Sequence, residues 1–274
     1  MAPPPAVLGV GAARRLMENA SGGTQSIQRA AMILRHIGNG HDEGVRLVDL
    51  SNELYLERPT VHRIVKSLMA ENLVTQDVTT RRYHLGQGIV ALSLIVNRKL
   101  NFQQLAQPLL EDMARQTGDT FYLNQRIGNE ALCLIRTDGH CPIKIYSVGV
   151  GDRRPLGVGA GGLAMLSEMP VAERNACIAA NEQALSKYKG LNKRALLRLI
   201  EKTKTLGYAH LDVYGLAGVH AVGVPIMSPQ GAPVAALSIA SISNRLGTKR
   251  VEELVVLLRK NARQLEQLIS DYHW

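Results

Sequence analysis

The chain has 274 residues, 46% hydrophobic and 20% charged, which is enough apolar matter for a sizeable core and rules out wholesale disorder. Its net charge of +9 favours an acidic or polyanionic partner. The first 101 residues hold 12 of the 32 basic and 8 of the 23 acidic groups, so bulk charge marks no binding face. No apolar run reaches the roughly 18 residues of a membrane span, and the start lacks the basic region of a secretion signal. At roughly 100–200 residues per domain, two domains are expected.

Residues 1–23, rich in Pro, Ala and Gly, read as a flexible tail. Ile27, Ala30, Ala31, Ile33, Leu34 and Ile37 then recur at helical spacing, with Ser26 as the expected cap and Gly38-Asn39-Gly40 as the stop. Leu47, Val48, Leu50 and Leu54 predict a second, short helix. A third opens at Pro59, whose missing N–H is not needed in a first turn. Val61, Ile64, Val65, Leu68 and Met69 form its apolar face. Residues 73–76 and 81–85, joined by Asp77-Val78-Thr79-Thr80, predict a β-hairpin. Three helices and a hairpin in about sixty residues make a winged helix-turn-helix, expected over 24–86.

Gly86 and Gly88 mark an exit, and Ile89, Leu92, Ile95, Val96 and Leu100 predict a linker helix within 87–101. In the second domain, 102–274, a helix is expected at 102–116 and strands at 120–127, 131–136 and 143–148. A Gly-rich turn at 157–162 opens a helix to 168, and helices follow at 170–181 and 192–206. Strands at 219–227 and 232–242 flank the turn Ser228-Pro229-Gln230-Gly231, and a last helix covers 248–272. This order predicts an α+β layer with a largely antiparallel sheet.

On the third helix Thr60, Arg63 and Ser67 form a polar stripe, widened by His62 and Lys66. A groove-reading helix needs short polar residues near its start and long donors behind them. Arg63 suits a bidentate contact to guanine, while Lys66 and Ser67 suit phosphates. An ordinary solvated face would look the same on helix evidence alone. The adjoining turn, with Thr79, Thr80, Arg81 and Arg82, places a basic loop where phosphate or minor-groove contacts are expected, tempered by Glu57, Glu71 and Asp77.

Residues 25–272 resemble the IclR family of bacterial transcription regulators. The resemblance rests on Gln25-Ser26-Ile27-Gln28-Arg29-Ala30, on Arg58-Pro59-Thr60-Val61-His62-Arg63-Ile64-Val65 and on Tyr83-His84-Leu85-Gly86. It continues through Arg154-Pro155-Leu156 with Gly159-Ala160-Gly161-Gly162, Leu206-Gly207-Tyr208-Ala209 and Ala235-Ala236-Leu237-Ser238-Ile239. It implies a winged helix-turn-helix, a linker helix and an effector-binding, oligomerising domain of GAF/profilin-like kind. It also implies a dimer, or a pair of dimers, that represses or activates, with Ser26 and Arg58 joining the DNA-binding residues named above. Family members commonly carry glycine where this chain has Tyr55. If that position needs positive φ, tyrosine is strained by about 1 kcal/mol or more, so a slightly different turn is expected.

Gly157-x-Gly159-x-x-Gly162 formally satisfies a dinucleotide fingerprint, but no acidic strand end follows about 20 residues on, so dinucleotide binding is set aside. A helix start whose bare N–H groups hold an anion is the other reading, with plain helix-on-sheet packing equally open for Gly162. The resemblance implies that Gly159, Ala160 and Gly161 hold a carboxylate effector, with Ile143, Tyr146, Arg154, Leu156, Val219, Ala221, Ser238 and Ala240 around it. Relatives that bind small oxo acids carry more polar groups. Here a hydroxyl is absent at Ala240 and a thiol at Ala221, and the family's acidic D-x-E-E stretch has become Leu211-Asp212-Val213-Tyr214. An aromatic or fairly apolar carboxylate is therefore expected.

Cys133, Cys141 and Cys177 are odd in number and form no C-x-x-C pair, so reduced, buried thiols in a cytoplasmic protein are expected, with no metal and no cofactor. Ser147, Ser167 and Ser238 lack a nucleophile elbow, and Asp138 with His140 and His210 with Asp212 read as exposed loop residues. The expected function is ligand-responsive transcription regulation through double-stranded DNA, without catalysis or a membrane. The alternatives are a small-molecule enzyme or a protein-binding module built on the second domain.

Overall fold

The computed structural model describes residues 24–40, 43–97 and 102–270. The chain divides into two compact units, Met1–Lys99 and Leu100–Trp274.

The first unit holds α1 (Thr24–Asn39), α2 (Leu47–Leu54), α3 (Arg58–Ala70), a hairpin of β1 (Val74–Gln76) and β2 (Tyr83–Leu85), and α4 (Gln87–Asn97). The helical spacing that predicted α1–α3 is what closes its core: Ile33 and Ile37, Leu50 and Leu54, and Val61 and Val65 bury against Val74 and Tyr83. Val45 exchanges two backbone hydrogen bonds with Tyr83, at 3.0 and 2.8 Å, adding a short third rung to the hairpin. Three expectations fail here, the first being Ile27, which is exposed instead of lying on the buried face of α1. Ser26 lies inside α1 and does not cap it, and Met69 is exposed rather than part of the apolar face of α3.

The second unit is built on one antiparallel sheet of six strands in the order β5-β4-β3-β8-β7-β6. Its elements are α5 (Phe102–Thr117), β3 (Thr120–Ile127), β4 (Glu130–Thr137), β5 (Arg153–Pro155), α6 (Gly159–Glu168), α7 (Val171–Leu185) and α8 (Lys193–Leu206). They continue with β6 (Ala209–Asp212), β7 (Val219–Met227), β8 (Pro233–Ile242) and α9 (Thr248–Ser270). The period of two along a strand sends alternate side chains to opposite faces. Phe121, Leu123, Val222, Val224, Leu237 and Ile239 therefore face α5 and α9, whose Leu110, Met113, Leu254 and Leu258 complete one core. Tyr122, Ala131, Ala221, Ala236 and Ala240 face the other way, towards α6 and the Leu196 and Ile200 side of α8.

The sequence missed β5 and β6, and the strand expected at 143–148 is irregular chain. Residues 271–272 of the last expected helix lie outside the described residues. Among the described residues, no helix is long and apolar enough to cross a membrane.

Candidate nucleic-acid interface and effector pocket

The approach to α3 is set by an unusual turn. Tyr55 closes α2 in the left-handed conformation, φ 53° and ψ 40°, so the different turn expected for tyrosine is not adopted. The residue is 69% exposed and gains little packing to offset the strain. Ser51 secures the turn from below. Its hydroxyl donates to the Leu56 carbonyl at 2.6 Å, and its own carbonyl accepts from the Leu56 N–H at 3.0 Å. The sequence reading overlooked this staple, which only a serine one turn before the helix end could have signalled.

With Val61, Val65 and Leu68 buried, α3 turns Arg58, His62, Arg63, Lys66 and Ser67 outward and leaves Thr60 half-buried. The Ser67 hydroxyl is occupied, donating to the Arg63 carbonyl at 3.1 Å. In the wing turn one Asp77 carboxylate oxygen accepts from the Thr79 N–H at 2.9 Å, the Thr80 N–H at 2.6 Å and the Thr80 hydroxyl at 2.9 Å. The hydrogen bonds from Thr80 hold the Asp77 carboxyl below its ordinary range. Asp77, expected in the turn and as a charge that tempers the field, also organises that turn. Arg81, exposed and at φ 57°, forms its far corner. Arg82 is half-buried and donates from Nη1 to the Gly44 carbonyl at 2.8 Å, fastening the wing to the loop before α2. Thr79, Thr80 and Arg81 thus present the tip, whereas Arg82 also has a structural task. Ser26 is exposed on α1.

In the second unit, α6 begins beside the sheet with no side-chain cap at Val158 and with Gly159 at φ +73°. Its first N–H groups therefore lack intrahelical acceptors. They face a small cavity of about 50 Å³ lined by Gly159, Ala160, Gly161, Arg154, Ala221, Ser238 and Ala240. The helix start sits close on the sheet: a Cβ on Gly161 would lie 2.7 Å from the side-chain Nδ2 of Asn124 on β3.

Tyr122, Asn124, Ser147, Val148, Val158 and Val213 also line the wall and were missed from sequence. Tyr122 and Asn124 could have been found by counting in twos along β3 from its buried face. Asn124 donates to the Ser238 hydroxyl at 3.3 Å. Arg154, half-buried, donates to the Ser147 carbonyl, and the Tyr122 hydroxyl donates to the Ile145 carbonyl. Burial raises the Tyr122 hydroxyl above its ordinary pKa, keeping it a neutral donor. These two bonds draw residues 145–147 over the cavity as irregular chain.

Four expected pocket residues stand elsewhere. Ile143 and Tyr146 are exposed, and the Arg136 guanidinium lies 4.4 Å from the Tyr146 ring centre. Leu156 and Val219 are buried in the core beside the cavity without lining it.

The other candidate chemistries find no support in the geometry. The three cysteines are free and buried, with Cys133 pushed up to about 12 and Cys177 to about 11 by desolvation, far from thiolate reactivity. Asp138 and His140 are exposed, as expected. His210 and Asp212 sit on β6 rather than in a loop, and Asp212 pairs with His220, at 2.9 Å, instead of His210.

Residues 26–78 match the model of the IclR helix-turn-helix domain, and residues 95–267 match that of the bacterial transcriptional regulator IclR C-terminal domain. The chain belongs to the IclR family. The chain is 27% identical to the regulator XynR of Escherichia coli over 81% of its length and 88% of that protein's. Identity to KipR of Bacillus subtilis is 26%, over 84% and 92% of the two chains. Among solved structures, an IclR regulator from a Silicibacter species superposes with a TM-score of 0.78 at 22% identity, covering 89% of this chain and 96% of that one. An IclR homologue of Microbacterium hydrocarbonoxydans, solved with 4-hydroxybenzoate, gives 0.70 at 22% identity over 88% and 98%. This IclR-family protein is a DNA-binding transcriptional regulator and not an enzyme, which removes the enzymatic alternative.

Proposed function

We propose that the protein binds a pseudo-palindromic operator as a dimer or a pair of dimers, and that a small aromatic or otherwise apolar carboxylate shifts its affinity for that operator. In this reading residues 24–86 bind DNA in the cytoplasm, 87–101 link, and 102–274 bind the effector and oligomerise. His62 and Arg63, with Thr60, read base edges, and Arg58, Lys66, Thr79, Thr80 and Arg81 hold phosphates. Two half-sites about 34–36 Å apart would be read by symmetric copies. The apolar side chains exposed around α4, Val90, Leu92, Leu94 and Ile95, support self-association, because so much apolar surface is costly to leave in water.

The observation that carries the effector reading is the uncapped start of α6 facing a cavity beside Arg154. Bare N–H groups and a guanidinium suit a carboxylate, and Ala221, Ala240, Val148, Val158 and Val213 suit what it is attached to. The relative solved with 4-hydroxybenzoate supports the same ligand class. The ligand acts only through its different affinity for the two DNA-competent states. A thermal-shift screen of the full chain against small carboxylates tests this, followed by operator mobility shifts with each hit. Stabilisation by benzoate-like acids with altered operator affinity is expected. Stabilisation by glyoxylate-sized acids alone would overturn the apolar assignment.

A further inference from the structure

A second cavity lies on the same unit, in a groove of about 360 Å³ under the loop between α7 and α8. Its floor is apolar and buried, made by Ile178, Leu185 and Leu191, and its rim includes Ala179 and Tyr188. The groove is several times the roughly 50 Å³ beside α6, where there is no room for a long chain. The two spaces approach each other at one aromatic pair. The Tyr188 ring meets the Tyr214 ring edge-on, with centres 5.9 Å apart and planes at 68°. Val213, the neighbour of Tyr214, lines the first cavity and Tyr188 lines the second. The charge of Arg154, on the wall of the first, is also felt at the Tyr188 hydroxyl. Both rings are only partly buried, so the contact a ligand has to part is this single edge-on pair.

We infer that the groove under the α7–α8 loop is the tail subsite of the effector pocket, with Tyr188 and Tyr214 as the movable partition between them. The effector is then an amphiphilic acid whose carboxylate sits at the start of α6 beside Arg154. Its elongated aryl or alkyl tail passes the tyrosine pair and covers Ile178, Leu185 and Leu191. The assignment rests on the carboxylate reading proposed above and narrows it from a compact acid to one with a tail.

The test is calorimetric titration of the full-length protein with straight-chain carboxylates from propionate to decanoate, with benzoate alongside. Affinity should rise by about fourfold per methylene over the middle of the series, the gain expected for a buried CH₂, and level off when the groove is full. Ala179→Trp places an indole in the groove from an exposed rim position, so the fold is not at risk. It should abolish the gain for long chains and leave benzoate binding unchanged. Arg154→Gln should weaken every acid by a similar factor. Benzoate binding without any gain along the series overturns the tail subsite and leaves the carboxylate reading standing. So does a chain-length gain that Ala179→Trp does not touch, or long-chain binding indifferent to Arg154→Gln. If no acid binds, benzoate included, the carboxylate reading fails and the subsite fails with it.

Discussion

A Cβ placed on Gly223 would lie 2.7 Å from the carbonyl carbon of Ala160, so the middle of β7 and the first turn of α6 touch backbone to backbone. No side chain can be inserted there without moving the helix start. Gly223→Ala should therefore lift α6 away from the sheet, at a cost of about 1–3 kcal/mol for overpacking. Effector-induced thermal stabilisation should be lost while operator binding by the unliganded protein persists. Unchanged ligand response would mean that the amides of Ala160 and Gly161 are not the carboxylate's anchor.

Tyr55 gives the opposite sign. A non-glycine residue at φ 53° with an exposed ring carries strain and gains little packing in return. Glycine relieves that strain but loses more freedom on folding, so Tyr55→Gly should stabilise the first unit by about 0.5–1 kcal/mol. The melting temperature should rise by a few degrees with operator affinity unchanged. A fall would show that the tyrosine ring contributes contacts in the assembled protein.

The helix-turn-helix was legible because each of its elements has a local cause. Val61, Val65 and Leu68 recur at helical spacing, Pro59 pre-forms the first turn of α3, and Asp77-Val78-Thr79-Thr80 turns the hairpin. The pocket was half-legible for the same reason in reverse. Its helix start announces itself in glycines, but Asn124 meets Ser238 across 114 residues of sequence, and no local pattern encodes that pairing. The edge strands β5 and β6, at three and four residues, are too short to show alternation. Residues 143–148 have strand-like composition, yet their carbonyls go to Tyr122 and Arg154 instead of a neighbouring strand. The left-handed Tyr55 had only a faint local sign, the serine at 51 whose hydroxyl and carbonyl secure the turn at Leu56.

Asp77 separates charge from geometry. Removing an acid near the wing tip should strengthen binding to phosphates if only the field mattered. Because one Asp77 oxygen holds the turn through three bonds, Asp77→Ala should instead weaken operator affinity by about threefold to tenfold. The pH dependence has a definite sign. A carboxyl depressed below 3.8 in the folded state adds stability that is complete above the unfolded value and disappears as pH falls through the lower folded one. Wing order, followed by hydrogen exchange at Thr79 and Thr80, should thus be constant from neutral pH down to about pH 4 and be lost only below it. Tighter operator binding by Asp77→Ala would overturn the structural role.

Asp119 is 2% exposed and joins the start of β3 to the end of β8, accepting from the Ser241 hydroxyl at 2.7 Å and from Arg245 Nε at 3.0 Å. Both its arginine neighbours, Arg245 and Arg250, are more than a third exposed and can be hydrated when the charge is removed. Asp119→Asn should therefore cost about 2 kcal/mol, less than the 3–5 kcal/mol of a fully buried broken pair. At roughly 2–4 °C per kcal/mol, the melting temperature of the second unit should fall by about 4–8 °C. A neutral effect would show that the buried charge costs as much to desolvate as its partners return.

Arg63 and Arg82 are both basic but differ in role. Arg63 is exposed on α3, where its guanidinium can meet a guanine edge. Arg63→Ala should weaken specific binding by about 1–3 kcal/mol and relax the preference at one base position per half-site. Arg82 spends a donor on Gly44, so Arg82→Ala should loosen the wing, cost about 1 kcal/mol of stability and weaken all sequences alike. Selection from a randomised operator library reads both at once. An Arg63→Ala protein that returns the wild-type consensus would move base reading off α3, whereas an altered consensus from Arg82→Ala would put the wing itself among the base readers.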